Sequence, residues 1–129
     1  MKQLSACWQV TITQKNYKRS ELKKEVMNMA QMLRLTGKRF EFGVLVLTRG
    51  VNDKVAADVE FAKFVWNSIA RHGAGDWGNM DEHDKAENEF AIGKYLRIFS
   101  AYEQAPLPEI WVITEADRSV TTVLFPEEY

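Results

Sequence analysis

Glu115, Asp117 and Arg118 fall within four residues, in the run Glu115-Ala116-Asp117-Arg118. Two carboxylates so placed could act as an acid/base pair, and the guanidinium beside them could clamp an anion. A second group lies upstream in His72-Gly-Ala-Gly-Asp-Trp-Gly78, with His72, Asp76 and Trp77 as the residues that carry chemistry. If that loop lies beside the charged tip, His72, Asp76, Glu115, Asp117 and Arg118 make a hydrolase- or nuclease-like set, with Arg118 or Arg97 pairing a carboxylate. The alternative is an internal ion-pair network that only fixes the loop. Charged tips are also common for solubility alone.

Other spacings are weaker. Gly73-Ala-Gly-Asp-Trp-Gly78 matches G-x-G-x-x-G, but a dinucleotide fingerprint needs a strand before it, and a helix precedes it here. His83 and Glu87 stand at i and i+4, a workable metal-ligand spacing, and His72 and Asp76 could join them. A helix this rich in acids reads first as a solvated face, so no metal and no cofactor is assigned. Ser100, Thr121 and Thr122 carry hydroxyls, with no local motif that would activate one. A basic segment, Lys15–Lys24, holds Lys18, Arg19, Lys23 and Lys24 around Tyr17, and is the candidate nucleic-acid surface.

The elements that must position these groups follow from periodicity. Residues 6–13 alternate, with Trp8, Val10 and Ile12 on one side, which predicts a half-buried strand. Ser20 caps a helix to about Leu35 whose stripe is Leu22, Val26, Met29 and Leu33, with Gly37 as the stop. Phe40–Thr48 reads as a central strand, Phe40, Phe42, Val44 and Val46 sharing a face. A helix over about 53–71, capped by Asn52 or Thr48, buries Val55, Val59, Ala62, Trp66 and Ile69, widened by Phe61, Phe64 and Val65. A mostly polar helix follows over 80–92, with Asn79 as cap and Gly93 as terminator. Strands over 95–102, 110–114 and 120–125 form an antiparallel meander. Pro106 and Pro108 place a loop between the first two, and Glu115–Arg118 closes the hairpin between the last two. The predicted fold is one α+β domain over 1–129, with a mainly antiparallel sheet and about three helices packed on it. Its N-terminal strand and basic helix occupy 1–38.

Bulk properties bound the setting. The chain has 129 residues and a net charge of −1. Residues 1–50 hold ten Lys/Arg and three Asp/Glu, a charge of +7, while residues 51–129 hold seven and fifteen, a charge of −8. The basic part either meets an acidic or nucleic-acid partner or is neutralised by the rest of the fold. Cys7 is the lone cysteine, so no internal disulfide forms and a reducing cytoplasm is expected. No apolar run approaches the roughly 20 residues that span a bilayer, so no membrane partner is expected.

From Phe40 onward the chain carries Phe42-Gly43, Thr48, Gly50, His72, Gly75-Asp-Trp-Gly78, Asp84, Asn88, Arg97, Ser100-Ala-Tyr102 and Trp111. It ends in Ile113-Thr-Glu-Ala-Asp-Arg-Ser-Val-Thr-Thr122 and Pro126-Glu-Glu-Tyr129. On these residues it resembles a family of small bacterial proteins of plasmids and integrative elements, often labelled as a type I restriction enzyme modification subunit. The chain has neither an Asn-Pro-Pro-aromatic motif nor a glycine-rich strand-to-helix turn for S-adenosylmethionine. The resemblance therefore implies a mobile-element setting rather than methyl transfer. The expected function is that of an accessory protein binding another macromolecule, most simply a protein, in restriction or host defence. The alternatives are the small hydrolase or nuclease and the nucleic-acid binder.

Overall fold

The computed structural model describes residues 34–129. The expected strand at 6–13, most of the helix expected over 20–35, and Lys18, Arg19, Lys23 and Lys24 lie outside the described residues. The described chain is an α+β fold. Its elements are β1 (Arg34–Thr36), β2 (Glu41–Leu47), α1 (Arg49–Ala57), α2 (Val59–Gly73), α3 (Glu82–Lys94), β3 (Ile98–Gln104), β4 (Leu107–Thr114), β5 (Val120–Leu124) and a closing 3-10 turn, Pro126–Glu128. The sheet order is β1-β2-β5-β4-β3. It is mixed, because β2 and β5 run parallel while the other three pairings are antiparallel. No helix among the described residues is long and apolar enough to cross a membrane.

Several boundaries differ from expectation for identifiable reasons. Arg34 and Leu35 belong to an edge strand, not to a helix end. Gly43 has φ +67, and a Cβ there would collide with the Ser119 carbonyl. The resulting irregularity in the β1–β2 ladder changes which residues share a face. Phe40, Phe42 and Leu45 enter the helix-side core, while Val46 is buried outside it.

The helix expected over 53–71 is two helices. Thr48, not Asn52, caps α1, and Asp58 serves both: its N–H donates to the Lys54 carbonyl, and its carboxylate accepts from Glu60 and Phe61. The break rephases the buried stripe of α2 to Phe61, Phe64, Val65, Ser68, Ile69 and His72. Val59 and Trp66, expected inside, are instead 70% and 46% exposed. Asp81, not Asn79, caps α3, and Tyr95 in the left-handed region ends it in place of Gly93. The connection expected over 103–109 is a tight turn at Ala105-Pro106, so β3 and β4 form a long hairpin.

The three helices lie over one face. Phe61, Phe64, Val65 and Ile69 of α2 and Val51 of α1 pack with Leu45, Ile98, Tyr102, Ile110, Val112 and Val123 of the sheet. The outer edge of β3 is closed. Asn88 of α3 exchanges two hydrogen bonds with the Phe99 backbone, at 2.6 and 3.2 Å. Further along, Gly78 bridges Ala101, and the Asn79 amide donates to the Ala101 carbonyl.

Candidate functional site

The C-terminal end of α2 and the turn after it bring His72, Asp76 and Trp77 together on the sheet. His72 is fully buried. Its Nδ1 lies 2.6 Å from Ser100 Oγ and its Nε2 lies 2.9 Å from Thr114 Oγ1. Thr114 Oγ1 is 2.8 Å from Thr121 Oγ1, and Thr121 Oγ1 is 2.8 Å from the Phe42 carbonyl. That carbonyl can only accept, so the Thr121 hydroxyl donates to it. Thr121 then accepts from Thr114, and Thr114 accepts from His72 Nε2–H. Nδ1 is left as the acceptor for the Ser100 hydroxyl. Every donor is used, and the ring is the neutral Nε2–H tautomer. Burial, with the nearby Arg118 charge, lowers the His72 pKa to about 3. Phe40, Phe42 and Trp77 surround the ring, with centroids 5.2–6.0 Å away. His72 is thus a closed link between helix and sheet rather than a group open to a cleft.

Asp76 faces solvent. It takes two hydrogen bonds from Arg71, at 2.7 and 3.1 Å, and one from the Gly78 amide. The Arg71 bonds first, and the Gly78 amide with them, hold its carboxyl below the usual range. The expected partners, Arg118 or Arg97, are elsewhere. Trp77 is buried and stacks on Phe40 at 6.2 Å, while its Nε1 donates to Glu89. Glu89 is also gripped by Arg39 through two bonds of 2.9 and 2.7 Å, which lower its pKa and raise that of Arg39. The turn is therefore pinned from both sides by guanidinium–carboxylate pairs.

At the hairpin tip, Arg118 adopts φ +61 and is buried. Its Nη1 donates to the carbonyls of Leu96, Glu115 and Ala116, and its Nη2 to that of Ala91 near the end of α3. Phe40 and Tyr95 rings lie 5.9 and 5.3 Å from the guanidinium carbon. Four carbonyls and two rings use up this cation, so it is a clamp on the chain and not on an anion. Asp117 is exposed, and bonds from the Ser119 hydroxyl and amide lower its pKa. Glu115 closes the hairpin through its backbone, and its Oε2 is buried without a hydrogen-bond partner among the described residues. Arg97 donates to the Tyr129 hydroxyl at 2.8 Å.

The two charged groups do not converge. The Asp76 carbonyl accepts from Tyr102, which pairs with Ile110, whereas the tip follows Thr114, which pairs with Ile98. Four strand residues separate those ends, about 13 Å. His72 reaches β4 and β5 through Thr114 and Thr121, but Asp76 and Asp117 sit at opposite ends of the β3–β4 ladder. The metal set does not assemble either. His83 is exposed and lies 3.7 Å from Asp84 and 3.8 Å from Glu87, while His72 is in the core. Asp81, His83 and Asp84 place ligand atoms within 4.8 Å of one another. Asp81 already caps α3 through the Asp84 amide.

A feature outside the expected set is a groove of about 640 Å³ between α2 and the β1–β2 connection. Trp66, Ile69, Ala70 and Phe42 give it an apolar floor, with Lys38, Arg71 and Asp76 at its rim. The signal for it in the sequence is the phase of α2: with Phe61, Phe64, Val65 and Ile69 inward, Trp66 cannot also be inward.

In comparisons with known proteins, no family model, no curated protein and no solved structure matches this chain.

Proposed function

We propose that this protein is a binding module that takes an extended segment of a partner protein into the groove beside α2. In keeping with the sequence resemblance, the partner belongs to a mobile element or to the defence machinery it meets. The observation that carries this reading is Trp66. It is a large aromatic side chain, 46% exposed, on the wall of an otherwise apolar groove. Groove size supports it, since ligand-binding clefts run to roughly 300–1,000 Å³. The neighbouring backbone supports it as well. Thr36, at the end of β1, the edge strand among the described residues, lines the groove with Gly37 and Lys38, and a sheet edge is where an extended peptide can add a strand. Lys38 at the rim favours an acidic residue flanking the apolar anchor.

Hydrolysis is the weaker reading, because His72 is sealed in the core and Arg118 is spent on carbonyls.

A random peptide library displayed on phage and panned on the full chain tests the proposal. The expected result is selected peptides with an aromatic or aliphatic anchor beside an acid, whose affinity drops roughly thirtyfold on Trp66→Ser. Peptides that bind Trp66→Ser as well as the unmodified chain would sink it.

A further inference from the structure

Asn88 and Ala91 turn one side of α3 toward the sheet. The opposite side carries His83, Ala86, Phe90 and Gly93 at helical spacing, all of them exposed. Phe90 is 60% exposed. Gly93 does not end the helix, because Tyr95 takes the left-handed position, and among the described residues nothing lies within 4 Å of where its Cβ would be. A glycine inside a helix weakens it, and here it leaves room for a second surface to come close. Tyr95 and Leu96, 67% and 47% exposed, extend the apolar surface past the helix end. Charge is divided along the same side. Glu82 and Glu87 lie in the first half of the helix and Lys94 in its last turn. Among the described residues Lys94 meets the Phe90 ring at 5.9 Å and no carboxylate. Glu82 reaches Lys85 at 3.5 Å, but its side chain is 93% exposed.

We propose that this face of α3 binds the same face of a second copy of the chain, the two helices antiparallel about a two-fold axis level with Asn88. Asn88 is the midpoint of Glu82–Lys94, so this register overlaps the whole helix. It sets Phe90 against the partner's Ala86, Gly93 against the partner's His83, and Lys94 against the partner's Glu82, each contact made twice by symmetry. A large ring meets a small residue, and a cation meets a carboxylate. Glu89 would face the partner's Glu87, but Arg39 already holds it through two bonds of 2.9 and 2.7 Å, which mutes that approach of like charges. The two helix dipoles are also opposed, positive end beside negative end. Acids at the start and a base at the end would suit the dipole of a solitary helix as well. A solitary helix, however, has no use for an exposed phenylalanine with alanine four residues before it and glycine three after. A charge pattern that matches itself when reversed favours a second copy over an unrelated surface. Two helices of 13 residues, each about 20 Å long, bury well under about 1,200 Å² in total, the size of a weak and reversible contact. This inference concerns a different surface from the groove and stands or falls apart from it.

Sedimentation velocity of the full chain, from about 10 µM to about 1 mM, is the test. The expected result is a mass that rises from one copy toward two, with a midpoint on the order of 100 µM. Phe90→Ser removes an exposed side chain, so it keeps the melting temperature while weakening association about tenfold or more. Lys94→Glu and Glu82→Lys each bring like charges together at both ends of the contact and weaken it by about the same factor. Combining Glu82→Lys with Lys94→Glu restores the pairing to within about threefold of the unmodified chain. A chain that stays monomeric throughout overturns the proposal and leaves the face to another macromolecule. Association that survives Phe90→Ser, or a double variant no better than either single one, overturns it equally.

Discussion

Asn88 and Phe99 are joined the way two strands are joined: the side-chain amide of one donates to and accepts from the backbone of the other, at 2.6 and 3.2 Å. A helix residue thus stands in for a missing neighbour strand. Asn88→Leu keeps the volume but leaves the Phe99 N–H and C=O unpaired, a cost of about 2 kcal/mol. It also reopens part of a sheet edge. The expected outcome is a lowered melting temperature together with faster aggregation at high protein concentration, read by circular dichroism and light scattering. A variant that melts and scatters like the unmodified chain would mean that the edge closure contributes nothing.

His72 makes stability depend on pH. Its folded pKa, about 3, lies below its ordinary value of 6.5. Between those values the unfolded chain binds a proton that the folded chain refuses. The stabilisation is therefore complete above about pH 6.5 and is lost as pH falls toward 3, at up to about 1.4 kcal/mol per pH unit. Denaturant titrations at about pH 7 and about pH 5, above the range where carboxylates titrate, should differ accordingly. The difference should vanish in His72→Gln. In the intact protein, ring nitrogen shifts should report the neutral Nε2–H form at pH 7, and a charged ring would contradict the hydroxyl chain.

Arg118 holds the hairpin tip against the end of α3. Arg118→Ala leaves the buried Ala91 carbonyl and three part-buried carbonyls without this donor and should cost about 2 kcal/mol, a fall of several degrees in melting temperature. Asp117→Asn, by contrast, touches an exposed carboxylate bonded only to its own turn among the described residues, so the melting temperature should stay at that of the unmodified chain. Equal losses from the two substitutions would refute the division of roles drawn above.

What the sequence made legible was local. The 115–118 hairpin is signalled by a charged turn between two apolar runs, and the helix stop at Gly73-Ala-Gly by glycines that follow a continuous stripe. The Arg71–Asp76 pair, five residues apart, was within reach of the same kind of reading. Arg39–Glu89 was not, because fifty residues separate its partners and nothing near either names the other. The faces of β2 were misassigned because one left-handed residue, Gly43, resets an otherwise regular alternation. The split at Asp58 was hidden because Ala56-Ala57-Asp58-Val59 contains neither glycine nor proline, and the wrong phase then carried Trp66 into the core. The charged groups were read correctly as residue types, but their separation along the β3–β4 ladder is a matter of register, which spacing does not encode.

Asp58 has a bearing on how this chain can change its length. A single residue ends α1 and begins α2, with no spacer to absorb an error. Inserting or deleting one residue in α2 ahead of Phe61 would turn that helix by about 100° about its axis. The inward set Phe61, Phe64, Val65, Ile69 and His72 would then rotate off the sheet as a unit, taking the His72 hydroxyl chain and the Trp66 groove with it. Point substitutions on the outer side of α2 are cheap by comparison. Variation in this region is therefore expected to come as replacement at constant length, with gains and losses of residues confined to the turns beyond Gly73.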